Sequence, residues 1–224
     1  MQKFETKKLF YNKYLYGLSF RNPLVSIFRN KNFRYAKSVI DDLQRSHEAG
    51  MPLWLKTMRR EKQVKQDDFT AIRTLFNECT SYTNDYTLRI EGSILKIYSN
   101  DKSWIESLIK KFDCITEFYQ PDPKFAQFLI DNHNTIIVDG DCPHEYKITF
   151  GNNTLPTALA DWCDRNSNKV KITSDTKDEI RRNGYVAGRY MYVKNDSTLM
   201  LCNLIAGTSF ARIDKLVSRQ NIDK

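Results

Sequence analysis

Hydrophobic and polar positions change period part-way along the chain. In the first third the apolar residues recur at helical spacing. Phe4, Tyr11, Tyr14 or Leu15, and Leu18 fall on one face of a predicted helix. Arg21-Asn22-Pro23 interrupts that pattern, because proline disfavours helix at the residue before it. A short turn over 24–28 is expected next. Asn32 is then placed to cap a helix running to Glu48, with Phe33, Ala36, Ile40 and Leu43 as its stripe and Gly50 and Pro52 as its stop. Residues 56–66 are polar and basic and read as a loop. Asp67 and Asp68 put acid at the positive end of another helix, with Phe69, Ile72, Phe76 and Cys79 turned inward. The turn-rich stretch 81–85 marks the predicted boundary between a helical region, 1–80, and an α+β domain, 81–224.

Beyond it the pattern alternates. Residues 86–91 and 94–99, separated by Gly92-Ser93, predict a hairpin. A helix over about 101–112 follows, then a strand over 115–119, a short helix near 124–132 and a strand over 135–139. Strands are also expected at 146–150 and 169–173, with helices near 155–165 and 175–183. The C-terminal stretch reads as a hairpin, 190–194 and 198–204, turning at Asn195-Asp196-Ser197, with a helix over 209–217. A strand–turn–strand–helix unit thus occurs twice, near 86–112 and 189–217. The fold class implied is α+β, a mainly antiparallel sheet with helices on one face, ferredoxin-like or related.

Charge changes this picture more than composition does. The 224 residues carry a formal net charge of +8. Residues 1–37 hold nine basic side chains against Glu5 alone, so they account for all of that excess. The same stretch holds nine aromatic residues. Lysine and arginine neutralise phosphates, and aromatic faces stack on unpaired bases. Lys7, Lys8, Lys13, Arg21, Arg29, Lys31 and Arg34 are therefore the candidate phosphate contacts. Tyr11, Tyr14, Phe28 and Tyr35 are the candidate stacking residues, and Arg59, Arg60, Lys62 and Lys65 would extend the patch. The other readings are an arm that docks on an acidic protein and a helical subdomain whose lysines face water.

Three weaker constellations carry possible chemistry. Pro121-Asp122 and Glu145-Tyr146-Lys147 resemble the signature of the PD-(D/E)xK nucleases. That resemblance implies Mg²⁺ held by Asp122 and Glu145, with Lys147 assisting water in phosphodiester hydrolysis. Asp139 and Asp141, with Cys142 and His144 nearby, offer possible metal ligands, although a tight turn explains Asp-Gly-Asp equally well. Gly184 and Gly188 lack the spacing of a nucleotide-binding loop.

No apolar run approaches the roughly 20 residues of a membrane span. The start of the chain has no signal-peptide pattern, and five scattered cysteines suit reduced thiols in a cytoplasm. The expectation is a non-catalytic nucleic-acid-binding accessory protein with no cofactor and no membrane partner. A subunit docking into a larger assembly, such as a viral one, is the alternative.

Overall fold

The structure is a computed structural model that describes residues 1–56 and 61–222. It is α+β and contains two five-stranded sheets, not one. Its elements in chain order begin with β1 (Gln2–Thr6), β2 (Tyr16–Arg21), a 3-10 turn (Val25–Lys31), α1 (Phe33–Glu48), β3 (Trp54–Lys56) and β4 (Glu61–Gln63). Next come α2 (Gln66–Ser81), β5 (Tyr86–Glu91), β6 (Ile94–Ser99), α3 (Lys102–Lys111), β7 (Ile115–Pro121) and α4 (Ala126–Asp131). The remainder is β8 (Thr135–Val138), β9 (Tyr146–Phe150), α5 (Thr157–Arg165), β10 (Val170–Lys171), α6 (Ser174–Arg181), β11 (Tyr190–Val193), α7 (Asp196–Ala206) and β12 (Phe210–Ser218), with a last turn of helix at Arg219–Ile222.

The N-terminal helical expectation fails over its first 21 residues. Tyr11 and Asn12 adopt positive φ, which ends any helix there. On either side the chain pairs as strand. β1 runs parallel to β7, and β2 lies antiparallel between β6 and β7. Within β2 the alternation of Leu18 and Phe20 (core) with Gly17 and Ser19 (opposite face) is the period of a half-buried strand. From Phe33 onward the helical expectation holds. Asn32 accepts a hydrogen bond from the Tyr35 N–H and starts α1, which ends at Glu48. The stretch expected as a loop contributes β3 and β4, a small antiparallel ribbon. Arg59 and Arg60 lie outside the described residues.

The C-terminal expectation inverts helix and strand. Asn195 accepts from the Thr198 N–H and caps α7, so Asn195-Asp196-Ser197 opens a helix instead of turning a hairpin. The stretch expected as the final helix is β12, the longest strand of its sheet.

The chain divides into two units. One comprises 1–6 and 10–126, the other 7–9 and 127–224. In the first unit the sheet order is β1-β7-β2-β6-β5, and Leu18, Phe20, Leu95, Ile97 and Phe118 pack with apolar side chains of α1, α2 and α3 in one core. In the second the order is β10-β11-β9-β12-β8, and Ile148, Phe150, Met191 and Val193 pack with side chains of α5, α6 and α7.

Read from the other edge, the second sheet repeats the first. β8, β12, β9, β11 and β10 stand where β1, β7, β2, β6 and β5 stand. Every pairing direction matches, including the single parallel pair at the edge, β1 with β7 and β8 with β12. In both units a helix joins two strands that flank a common neighbour, α3 between β6 and β7 and α7 between β11 and β12. The helix caps set the register between the copies. Asp101 caps α3 through the Trp104 N–H as Asn195 caps α7 through the Thr198 N–H. Tyr98 then corresponds to Tyr192, and buried Leu108 to buried Cys202. The chain is an internal structural repeat whose copies share a scaffold and little sequence.

Candidate nucleic-acid interface

One face of the first sheet packs on α1, α2 and α3 and one face of the second on α5, α6 and α7; the opposite face of each, free of those helices and here called helix-free, is read from strand alternation. On the first sheet that face is aromatic. Phe4 stacks on Tyr119 with ring centres 5.2 Å apart, and Phe10 contacts both Tyr119 and Tyr98 at 5.8 and 4.6 Å. Tyr11 meets Tyr98 edge-on at 5.4 Å. Gly17 makes this possible. A Cβ there would stand 2.9 Å from Tyr98 Cδ1, so only glycine lets the rings settle on the strand. Phe4 and Tyr11 remain exposed.

Two of the cations on that face are matched, while Arg21 at the end of β2 is exposed. Glu91 accepts ion pairs from Arg89 at 2.8 Å and Lys96 at 2.7 Å. Ser19 Oγ and Tyr119 Oη donate to the Glu117 carboxylate at 2.6 and 2.8 Å and hold its pKa below the ordinary glutamate value.

The helix-free face of the second sheet is cationic. The register sets Lys147 opposite both Tyr192 and Asp214, and Lys171 opposite Tyr192. Lys147 Nζ lies 3.9 Å from the centre of the Tyr190 ring, and Tyr190 packs edge-on against Tyr192 at 5.4 Å. Lys8 joins this unit. Loss of hydration, the Arg212 guanidinium and Lys147 together lower its pKa. Arg212 Nε donates to buried Asp214 at 2.5 Å, and Arg212 Nη2 is buried with no hydrogen-bond partner among the described residues. Lys8, Lys147 and Lys171 form no ion pair among the described residues. Beside them the His144 ring lies 6.0 Å from Tyr192. Burial, then Lys171 and Lys194, lower its pKa.

The predicted site residues differ in pairing and exposure. Lys7 forms an ion pair with Asp139, Lys13 with Asp85, and Lys31 reaches the Tyr86 carbonyl and ring. Arg21, Arg29 and Arg34 are exposed. Phe28 is a core residue at 1% exposure, and Tyr14 is buried with its hydroxyl on Asp85, so neither ring is free to stack. Tyr11 and Tyr35 are exposed. Lys62 and Lys65 are exposed as well. Part of the contiguous charge of the sequence is thus already paired. Three of its lysines, Lys7, Lys13 and Lys37, are spent on carboxylates.

The nuclease-like residues do not share a unit. Asp122 belongs to the first, where its carboxylate caps a 3-10 turn through the Lys124 N–H, while Glu145 and Lys147 belong to the second. Asp139 is tied to Lys7, and Asp141 is exposed after Gly140, whose positive φ makes this a turn. Among the described residues no group of three or more His, Cys, Asp or Glu is arranged to hold a metal ion. All five cysteines are free thiols. No helix among the described residues is long and apolar enough to cross a membrane.

Nothing in the charge distribution marks Lys147 and Lys171 as candidate interface residues, because the chain beyond residue 37 is neutral overall. Their only local signal was alternation, Lys147 beside Ile148 and Lys171 beside Val170 in short strands. Comparison with known proteins gives no match to a family model, a curated protein or a solved structure.

Proposed function

We propose that the protein is a non-catalytic nucleic-acid-binding accessory protein that receives a single strand on the helix-free face of its second sheet. The observation that carries this reading is a set of lysines without ion pairs, Lys147 and Lys171 beside the rings of Tyr190 and Tyr192, with Lys8 near Lys147. Lysines there neutralise phosphates and release counterions, and the tyrosines supply flat surfaces for unpaired bases. An open sheet face with exposed rings suits bases that are splayed out, not a duplex whose bases are stacked on each other. Of the N-terminal cations, Lys8 belongs to this unit and lies near Arg212 and Lys147.

Fluorescence anisotropy with labelled single- and double-stranded oligonucleotides at two salt concentrations tests the reading. Binding is expected to favour the single strand, to fall steeply with salt and to weaken in Lys147→Ala/Lys171→Ala. Binding insensitive to salt, or unchanged in that variant, contradicts it.

One observation favours the alternative of a docking subunit. α7 exposes Met200, Leu201 and Leu204. A protein partner that stays bound after nuclease treatment and is lost in Met200→Glu/Leu204→Lys would support that second role.

A further inference from the structure

The helix-free face of the second sheet also holds a cavity of about 290 Å³. Its walls are of two kinds. Ile136, Val138 and Leu216, from the parallel pair β8 and β12, make one side apolar, with Pro143 beside them. His144, Lys147 and Lys171 make the other side cationic, and Tyr192 stands among them. No carboxylate is among the lining residues. Asp139, Asp141 and Glu145, next in sequence to lining residues, are not themselves among them, Asp139 is engaged by Lys7, and Asp214, in register with Lys147, is engaged by Arg212.

This donor set is wrong for a metal ion and right for an anion. Lysine ammonium groups do not ligate a cation that competes with their own charge. They do make short, charge-assisted bonds to phosphate oxygens. The apolar wall and the tyrosine ring require that the anion carry a flat, weakly hydrated part as well. A bare phosphate leaves the apolar side in water, and an apolar molecule leaves the lysines unanswered. Ligand cavities span roughly 300–1,000 Å³, so this one is matched to a single small ligand.

We infer that the cavity seats one nucleoside monophosphate unit, its base between Tyr192 and the Ile136–Val138–Leu216 wall and its phosphate on Lys147, Lys171 and His144. The unit has two sources, a free nucleotide or the 5′-phosphorylated end of a strand. The inference rests on the nucleic-acid reading only for the second source.

Cys142 gives the site its own reporter. It is an exposed thiol that lines the cavity. Burial pushes Cys79, Cys163 and Cys202 up to about 12 and Cys114 up to about 11, which keeps those four protonated and slow to alkylate. The experiment measures iodoacetamide labelling of Cys142 by peptide mass spectrometry on the full chain, with titrations of adenosine 5′-monophosphate, inorganic phosphate and adenosine. The nucleotide is expected to protect Cys142 at concentrations about tenfold lower than either fragment. Protection should be lost in Lys147→Ala/Lys171→Ala with the circular dichroism spectrum unchanged.

Equal protection by phosphate and nucleotide overturns the inference, because the apolar wall would then be unused. Absence of nucleotide protection at millimolar concentration also overturns it. Protection by a 5′-phosphorylated oligonucleotide over its 5′-hydroxyl twin assigns the site to a strand end, and equal behaviour of the two beside protection by the free nucleotide assigns it to the nucleotide pool. Nucleotide protection without any oligonucleotide binding removes the nucleic-acid reading and keeps the cavity. Oligonucleotide binding without nucleotide protection does the reverse.

Discussion

The two helix-free sheet faces are built on the same strand order and differ at almost every position that matters. Tyr98 and Tyr192 correspond. Their antiparallel neighbours do not, since Gly17 faces Tyr98 where Lys147 faces Tyr192. On the far side of the central strand Tyr119 stands where the second sheet has Asp214. The first face therefore closes largely on itself, rings on rings with Glu91 answering Arg89 and Lys96. The second leaves lysines unanswered. The scaffold supplies two equivalent platforms, and the side chains at a few alternating positions decide which of them holds a net charge.

Introducing bulk at the first platform tests its closure. Gly17→Val drives a branched side chain into the Tyr98 ring, and overpacking of this kind costs roughly 1–3 kcal/mol. Denaturant unfolding should show that loss. An unchanged midpoint would mean that the rings are free to move and the face is not closed. Removing charge from the second platform should act on binding instead. Lys147→Ala/Lys171→Ala is expected to leave stability within about 0.5 kcal/mol while lowering the slope of log affinity against log salt by about 2.

The equivalent helices α3 and α7 sharpen the comparison further. Glu106 and Lys110 are exposed on α3, and the cap register places Met200 and Leu204 at the same positions on α7. Met200→Glu/Leu204→Lys copies the α3 surface onto α7. The variant should bind less hydrophobic dye with stability changed by no more than about 0.5 kcal/mol.

The smallest effect concerns pH. The pKa of Glu117 is depressed in the folded chain by Ser19 and Tyr119, so its contribution is present above the ordinary glutamate value and is lost as pH falls through the folded one. Glu117→Gln should flatten the acid side of the stability profile below about pH 4.5. A profile with the same acid slope would remove Glu117 from the account.

Much of the middle of this fold was legible in the sequence because it is local. The Asn32 cap, the acids at the start of α2 and the hairpin turning at Gly92 are each signals within a few residues. β1 was not legible, since its partner β7 lies more than a hundred residues away and nothing in Gln2–Thr6 announces it. Phe4, Tyr11 and Leu18 satisfied helical spacing although they lie on two strands and the loop between them. The apolar run after Asn195 has no clear period, and only the capping bond decides for helix over strand. The proposed interface was obscured for a different reason. Net charge is a property of sequence windows, whereas a surface is assembled across strands. Lys147 and Lys171 lie on one sheet from distant segments with Lys8 near Lys147, and two of the three lie in a part of the chain that sums to zero.

In the proposed function the unpaired lysines of the second sheet, and not the aromatic face of the first, receive the strand. The most direct measurement is anisotropy of one labelled single-stranded oligonucleotide with two variants side by side, Lys147→Ala/Lys171→Ala on the second face and Arg89→Ala on the first. The account predicts that the lysine variant loses most of its affinity and part of its salt dependence while Arg89→Ala binds like the parent protein. Loss of binding in Arg89→Ala with the lysine variant unaffected would contradict it.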